Sequence, residues 1–355
     1  MSRNRFEFCK KRLLSKFGVC LLILNMQNCI TYLYHLGKEQ TKILFSREEI
    51  SKIISNPSTD ENTKEKLKLI ESAREFAINK LYLNSKGGFV YYTKLDRDEI
   101  GWHVTASYPL KFESYTWWFP FLGRVPYKGF FDIEKAKKLE EELIKEGLDT
   151  KLRITGGYST LGWFSDPVMS PQLKLRKDEL VSLVIHEMAH STVYFPGDSQ
   201  FNESYATFIE DIGTENYYNF LGGEESNKIL LSRKQYKEEG KIIMSSVKET
   251  ALKLKELYES NLPDEEKLKK KFEIIEDFKT GLLGKISLFK KIDITKFKKA
   301  KMNNENFIGL LRYNSGGNFF KKKFDEVNQD FKKFHLEMEK LKELSIEERE
   351  NLLKN

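Results

Sequence analysis

The strongest constraint on this chain is one run, Leu173 to Phe195, which reads as the most apolar helix of its body. Pro196-Gly197 must end that helix, because proline has no N–H to continue the ladder and glycine readily leaves helical space. Asp198 then suits the N-cap of a second helix, beginning near Ser199 and running to about Phe220. The turn lets the chain fold back, and unpaired polar groups in so apolar a helix would be costly. The first helix carries three such groups close together: His186, Glu187 and His190.

Residues four apart on a helix lie one turn above each other on the same face, so both imidazoles can reach one ion at about 2.0–2.1 Å. In the pattern His-Glu-x-x-His, Glu187 approaches a water on that ion without being a ligand. Zinc brings the pKa of such a water towards about 7, and the glutamate can take its proton as it attacks a carbonyl. The chain has only 5 histidines, yet two fall at this spacing around a glutamate. Short motifs also arise by chance, the histidines then being ordinary helix residues, so a third ligand decides between the readings. Glu203, on the second helix, can supply it; the plain alternative is a solvated helix carboxylate. Asp198 is the rival ligand, although an N-cap role accounts for it more simply. Glu210 is placed to orient an imidazole by accepting its other N–H. All three cysteines, Cys9, Cys20 and Cys29, lie within residues 1–29, so the rest of the chain has no disulfide and no thiolate ligand. Any metal must be held by His, Asp or Glu.

Charge points to targeting rather than to nucleic acid. Residues 1–28 carry six cations against Glu7 alone, +5 of the chain's formal +7, which leaves only +2 for the remainder. The basic start leads into an uncharged stretch from Phe17 to Met26, the layout of a secretory signal peptide. Cys29 just beyond it suggests lipoprotein processing, with the mature chain tethered to a membrane and facing the periplasm. Asn28 is a loose match for the position before such a cysteine. An uncleaved signal anchor is the rival, since the uncharged stretch continues through Tyr34 to Gly37, but Gln27 and Asn28 make it a poor permanent span.

The rest of the pattern is α+β and predominantly helical. Residues 38–84 look helical with a break at Asn56-Pro57, and Phe89–Tyr92, Trp102–Ala106 and Lys151–Thr155 read as strands. The stretch Trp117–Phe131 reads as structured loop, and Ile133–Glu146 as a short amphipathic helix. Residues 224–294 suggest a helical hairpin around Leu262-Pro263, and the tail from Asn306 is helical again, interrupted at Gly316-Gly317. The expected organisation is a signal segment over 1–28 and one domain over 29–355, with 224–355 as its helical C-terminal part.

The second helix, with Asn202, Glu203, Ala206 and Glu210, resembles the Asn-Glu-x-x-Ala helix of gluzincin aminopeptidases, whose glutamate completes a two-histidine zinc site. The turn before it is shorter than in those enzymes, so the helix packing must differ. From Cys29 to about Tyr313 the chain looks like the bacterial "putative aminopeptidase" family, often described as lipoproteins. The ordered matches include Trp117-Trp118-Phe119-Pro120, Gly123 to Phe131, Tyr158 to Pro167, His186 to His190, Gly197-Asp198 and Phe201 to Ala206. Trp118 stands where the family usually has a cysteine, and Lys128 where arginine is common. The resemblance implies a zincin-like metallopeptidase core with a small sheet, one Zn2+ on His186, His190 and Glu203, and a peptide substrate trimmed from its N-terminus. Such an enzyme needs an oxyanion donor beyond zinc. Tyr158, in Gly-Gly-Tyr-Ser-Thr, is the first candidate for that role or for lining the cleft; a plain amphipathic wall residue is the alternative. Tyr313 and Asn303-Asn304 match another family segment and could cap the cleft. Two other functions fit the same metal site: an endopeptidase or other amide hydrolase, and a non-catalytic envelope scaffold stabilised by zinc, which would have no need of Glu187. The sequence leaves the oligomeric state open.

Overall fold

The computed structural model describes residues 32, 35–86, 88–119, 123–155, 166–313 and 316–354. The chain divides into two compact units, Met1–Arg47 and Glu48–Asn355. In the first, the described part is a helix, α1, over residues 35–45; the signal segment at 1–28 and Cys29 lie outside the described residues. No helix among the described residues is long and apolar enough to cross a membrane.

The second unit is α+β and predominantly helical, with three small sheets among the described residues. In the first sheet, β2 (Tyr91–Thr93) lies between β1 (Glu48–Glu49), antiparallel to it, and β8 (Val168–Met169), parallel to it. In the second, β3 (Trp102–Ser107) is central, with β6 (Tyr127–Phe130) and β7 (Asp149–Ile154) antiparallel on either side. In the third, β4 (Trp117–Phe119) pairs antiparallel with β5 (Gly123–Val125). Both faces of β3 are buried over its second half, Val104 and Ala106 on one and Thr105 and Ser107 on the other, and α4 (Ile133–Lys145), with Ala136 and Leu143 buried, packs on that sheet.

The helices before the site are α2 (Ile50–Ser55) and α3 (Glu61–Asn79); α5 (Lys177–His190) and α6 (Ser199–Leu221) form the central pair. Gly222 and Gly223, with φ of 64° and 83°, turn the chain from α6 into the long α7 (Gly223–Glu259). Helices α8 (Asp264–Leu283), α9 (Lys296–Lys299), α10 (Asn304–Tyr313), α11 (Gly317–Glu326), α12 (Phe331–Lys340) and α13 (Ile346–Lys354) complete the chain. The main core gathers Leu67, Ile70 and Ala77 of α3, Val181, Ile185 and Met188 of α5, Phe201, Tyr205 and Ile209 of α6, and Phe320 and Phe334 of the C-terminal helices. A smaller core joins α7, α8 and α10 through Val247, Leu254, Phe278 and Phe307. Gly213 lets α6 lie close to α5: a Cβ there would stand 2.7 Å from Leu81 Cδ1 and 3.1 Å from Ile185 Cγ2.

Several sequence expectations need correction. The apolar run Leu173–Phe195 is helical only over α5. Ser170–Lys174 form a 3-10 turn, and the Glu179 carboxylate accepts the Arg176 N–H (3.0 Å), setting the helix start. At the other end the Thr192 hydroxyl donates to the Met188 carbonyl (2.8 Å), drawing the chain out of the helix after His190. The Trp117–Phe131 stretch, expected as loop, holds β4, β5 and β6, and β6 becomes a strand by pairing with the distant β3. The C-terminal hairpin forms as expected between α7 and α8, but its second helix stops at Leu283.

His335 of α12 ties the C-terminal helices to the core. Its Nε2 donates to the Leu81 carbonyl (2.8 Å), so its Nδ1 accepts from the Tyr205 hydroxyl (2.8 Å). Burial lowers its pKa from the usual 6.5, against smaller opposing effects of the Leu81 carbonyl and Glu339. A depressed folded-state value means that the unfolded chain takes the proton first as pH falls. The stabilisation is therefore whole above about pH 6.5 and shrinks below it. Thermal melts from about pH 7.5 to about pH 5.5 should show a steeper loss of stability in the parent than in His335→Gln, which has no such proton to take. Equal slopes would remove His335 from the pH response.

Candidate metal centre

His186 and His190 occupy the last turn and a half of α5, with side chains 16% and 9% exposed. The chain then reverses over Ser191–Asp198, and this turn is pinned from several sides. Asn202 of α6 accepts the Phe195 N–H (2.9 Å) and donates back to the Phe195 carbonyl (2.8 Å). Asp198 Oδ1 accepts the Phe201 N–H (3.0 Å), capping α6, while its Oδ2 accepts from Arg349 Nε of α13 (2.7 Å). The Arg349 guanidinium also lies over the Phe195 ring, 4.8 Å from its centroid. With its turn fixed in this way, α6 presents Glu203 to the two imidazoles.

The three side chains converge: one ligand atom from each of His186, His190 and Glu203 lies within 4.8 Å of the others. The imidazole Nε2 atoms stand 3.2 Å apart, with Glu203 Oε2 3.5 Å from His186 Nε2 and Oε1 3.8 Å from His190 Nε2. Two nitrogens each about 2.0–2.1 Å from a tetrahedral ion would be roughly 3.3 Å apart, so the donor set fits zinc. Glu210 Oε2 lies 3.0 Å from His186 Nδ1. It can accept the Nδ1–H as a hydrogen bond, which orients the ring so that Nε2 is the atom facing the cluster.

Burial disfavours the charged form of both imidazoles. For His190, burial and the neighbouring His186 bring the pKa down to about 4. For His186, burial acts the same way, but hydrogen bonds to Glu203 and Glu210 outweigh it and carry the value to about 10. Glu187 is pushed up to about 7, first by burial; the His186 charge opposes this, while Glu203, Asp166 and Glu210 add to it. A carboxylate poised near neutrality is suited to take and return a proton.

Asp198, the rival ligand, is 3% exposed and committed to the α6 cap and Arg349, so it does not join the cluster. Asn303 and Asn304 do not cap a cleft in the way the sequence suggested. Asn303 donates to the Thr150 carbonyl and Asn304 to the Tyr108 carbonyl, both at 2.9 Å, tying α10 to the second sheet. Tyr158 and the side chain of Tyr313 lie outside the described residues. A cleft of about 800 Å³ opens beside His186 and Glu210, walled by α5, α6 and α7, with Leu183, Arg233, Tyr236 and Met244 among its lining.

Sequence reasoning missed Arg349 and the locking role of Asn202. It also missed Tyr194, in the turn between the two helices, whose pKa is raised by burial and then by the charge of Glu203. For Tyr194 a signal existed, a phenol four residues beyond His190; for Arg349 there was none.

The class of molecule is thus a predominantly helical α+β chain with two histidines and a glutamate gathered at one point, and with a second glutamate, Glu187, whose pKa is raised beside them. The chain belongs to the family described as "Putative aminopeptidase", whose profile matches residues 31–353. That membership points to a peptidase, and so to a peptide substrate. No curated protein and no solved structure matches the chain.

Proposed function

We propose that this protein is a zinc-dependent aminopeptidase, with His186, His190 and Glu203 as ligands and Glu187 as general base. The observation that carries the reading is the convergence of those three donors beside a glutamate whose pKa is raised to about 7. Zinc, when bound, supplies a Lewis acid that polarises a peptide carbonyl and acidifies water. Glu187 accepts the proton of the attacking water and returns it to the departing amine. Glu210 holds the His186 ring by its Nδ1 side, and the Asp198 and Asn202 contacts hold Glu203 in place. A lipid on Cys29 would keep the enzyme at a membrane, facing the periplasm. A zinc-stabilised scaffold would leave the pitch of Glu187 without purpose.

The test is a digest of free and N-acetylated peptides by the purified protein, before and after metal removal. Free peptides should lose residues one at a time from the N-terminus, acetylated ones should resist, and chelation should abolish the activity until zinc is returned. Equal cleavage of acetylated peptides would make the enzyme an endopeptidase. Activity indifferent to chelation would overturn the metal assignment.

A further inference from the structure

The interface between α5 and α6 is apolar except for polar groups at successive turns. His186 meets Glu210 at 3.0 Å. One turn earlier on α5 and one turn later on α6, Ser182 Oγ meets Thr214 Oγ1 at 3.0 Å. Both residues are buried, Ser182 at 5% and Thr214 at 0% exposure. A third helix closes this pair: Arg233 of α7 donates from Nη1 to Ser182 Oγ (2.9 Å) and lies 3.7 Å from Asp178 of α5 and 3.6 Å from Asp211 of α6. Since Ser182 Oγ accepts from Arg233, its own proton is available to Thr214.

Apolar attraction around these groups is non-directional, so beyond the fit of shapes it adds little preference for one offset of the helices. Hydrogen bonds between short hydroxyls tolerate little displacement. A slip of one residue moves a helix by about 1.5 Å along its axis. Metal–ligand distances, by contrast, hold to within about 0.2 Å. The contacts that fix register along the helices therefore act together with those of Asp198 and Asn202 in the turn to decide whether Glu203 reaches the imidazoles.

We propose that Ser182, Thr214 and Arg233 form a register clamp, positioning residues that hold α5 and α6 at the offset the metal ligands require. The inference rests on the zinc reading above and extends it to residues that touch neither metal nor substrate. Polar groups can fix helix register in this way at some cost in stability.

The experiment measures zinc affinity by competition with a chromophoric chelator, together with melting of the zinc-free protein, for the parent, Thr214→Val, Ser182→Ala and Thr214→Ser. Thr214→Val keeps shape and loses the hydroxyl; it and Ser182→Ala should bind zinc about 10–100-fold more weakly while remaining folded. Thr214→Ser restores the hydroxyl and should lie within about threefold of the parent, a rescue that a purely packing role would not give. If Thr214→Val does not fold, Ser182→Ala decides. Parent-like zinc affinity in the folded hydroxyl-free variants, whatever their melting points, overturns the clamp and leaves the zinc reading intact. A parent that takes up no zinc overturns both.

Discussion

Glu187→Gln should purify with its zinc and hydrolyse peptides about 10²–10⁴-fold more slowly than the parent. The amide keeps the size of the carboxylate but cannot accept the proton of an attacking water. Because Glu187 lies beside the ligand set rather than within it, metal content should not change. Glu203→Ala is the contrasting case: it removes one of three donors, so the ion itself should be lost, and activity with it. The two variants separate a failure of proton transfer from a failure of metal retention. A Glu187→Gln enzyme as fast as the parent would end the general-base assignment. Unchanged zinc in Glu203→Ala would point to Glu210 as the third donor, since Asp198 is committed elsewhere.

The second large effect concerns stability. Arg349→Met should lower the stability of the folded chain by about 3–5 kcal/mol, because it strands the Asp198 carboxylate in a buried place. The pair is 6% and 3% exposed. Exposure, not separation, decides its weight. Lys321 and Asp325 are closer, at 2.5 Å, but are 58% and 44% exposed. Breaking that surface pair should change stability hardly at all, since water screens it. Asp198→Asn should be nearly as harmful as Arg349→Met, and the double variant should cost much less than the sum, since no lone charge remains. Denaturant titration of the four proteins checks this; additive losses would mean that the two side chains act independently.

What the sequence revealed and what it hid follow from distance along the chain. The two histidines and Glu187 are legible because a single helix sets their spacing, and Glu203 because one short turn separates it from them. The α6 cap at Asp198 is equally local. The helix limits were less clear: apolar residues run through Leu173–Phe195, but the Glu179 carboxylate and the Thr192 hydroxyl cut the helix to Lys177–His190. Contacts such as Asp198–Arg349 and Tyr205–His335, 151 and 130 residues apart, leave no periodic trace and were invisible. The β6 strand failed for the same reason, as its pairing with β3 is what makes it a strand.

The clasp between Arg349 and the turn before α6 carries an implication for biogenesis. A polypeptide emerging from the ribosome delivers both imidazoles and Glu203 long before the arginine that secures their corner. The cluster should therefore take its final shape late, only after the last helices have docked.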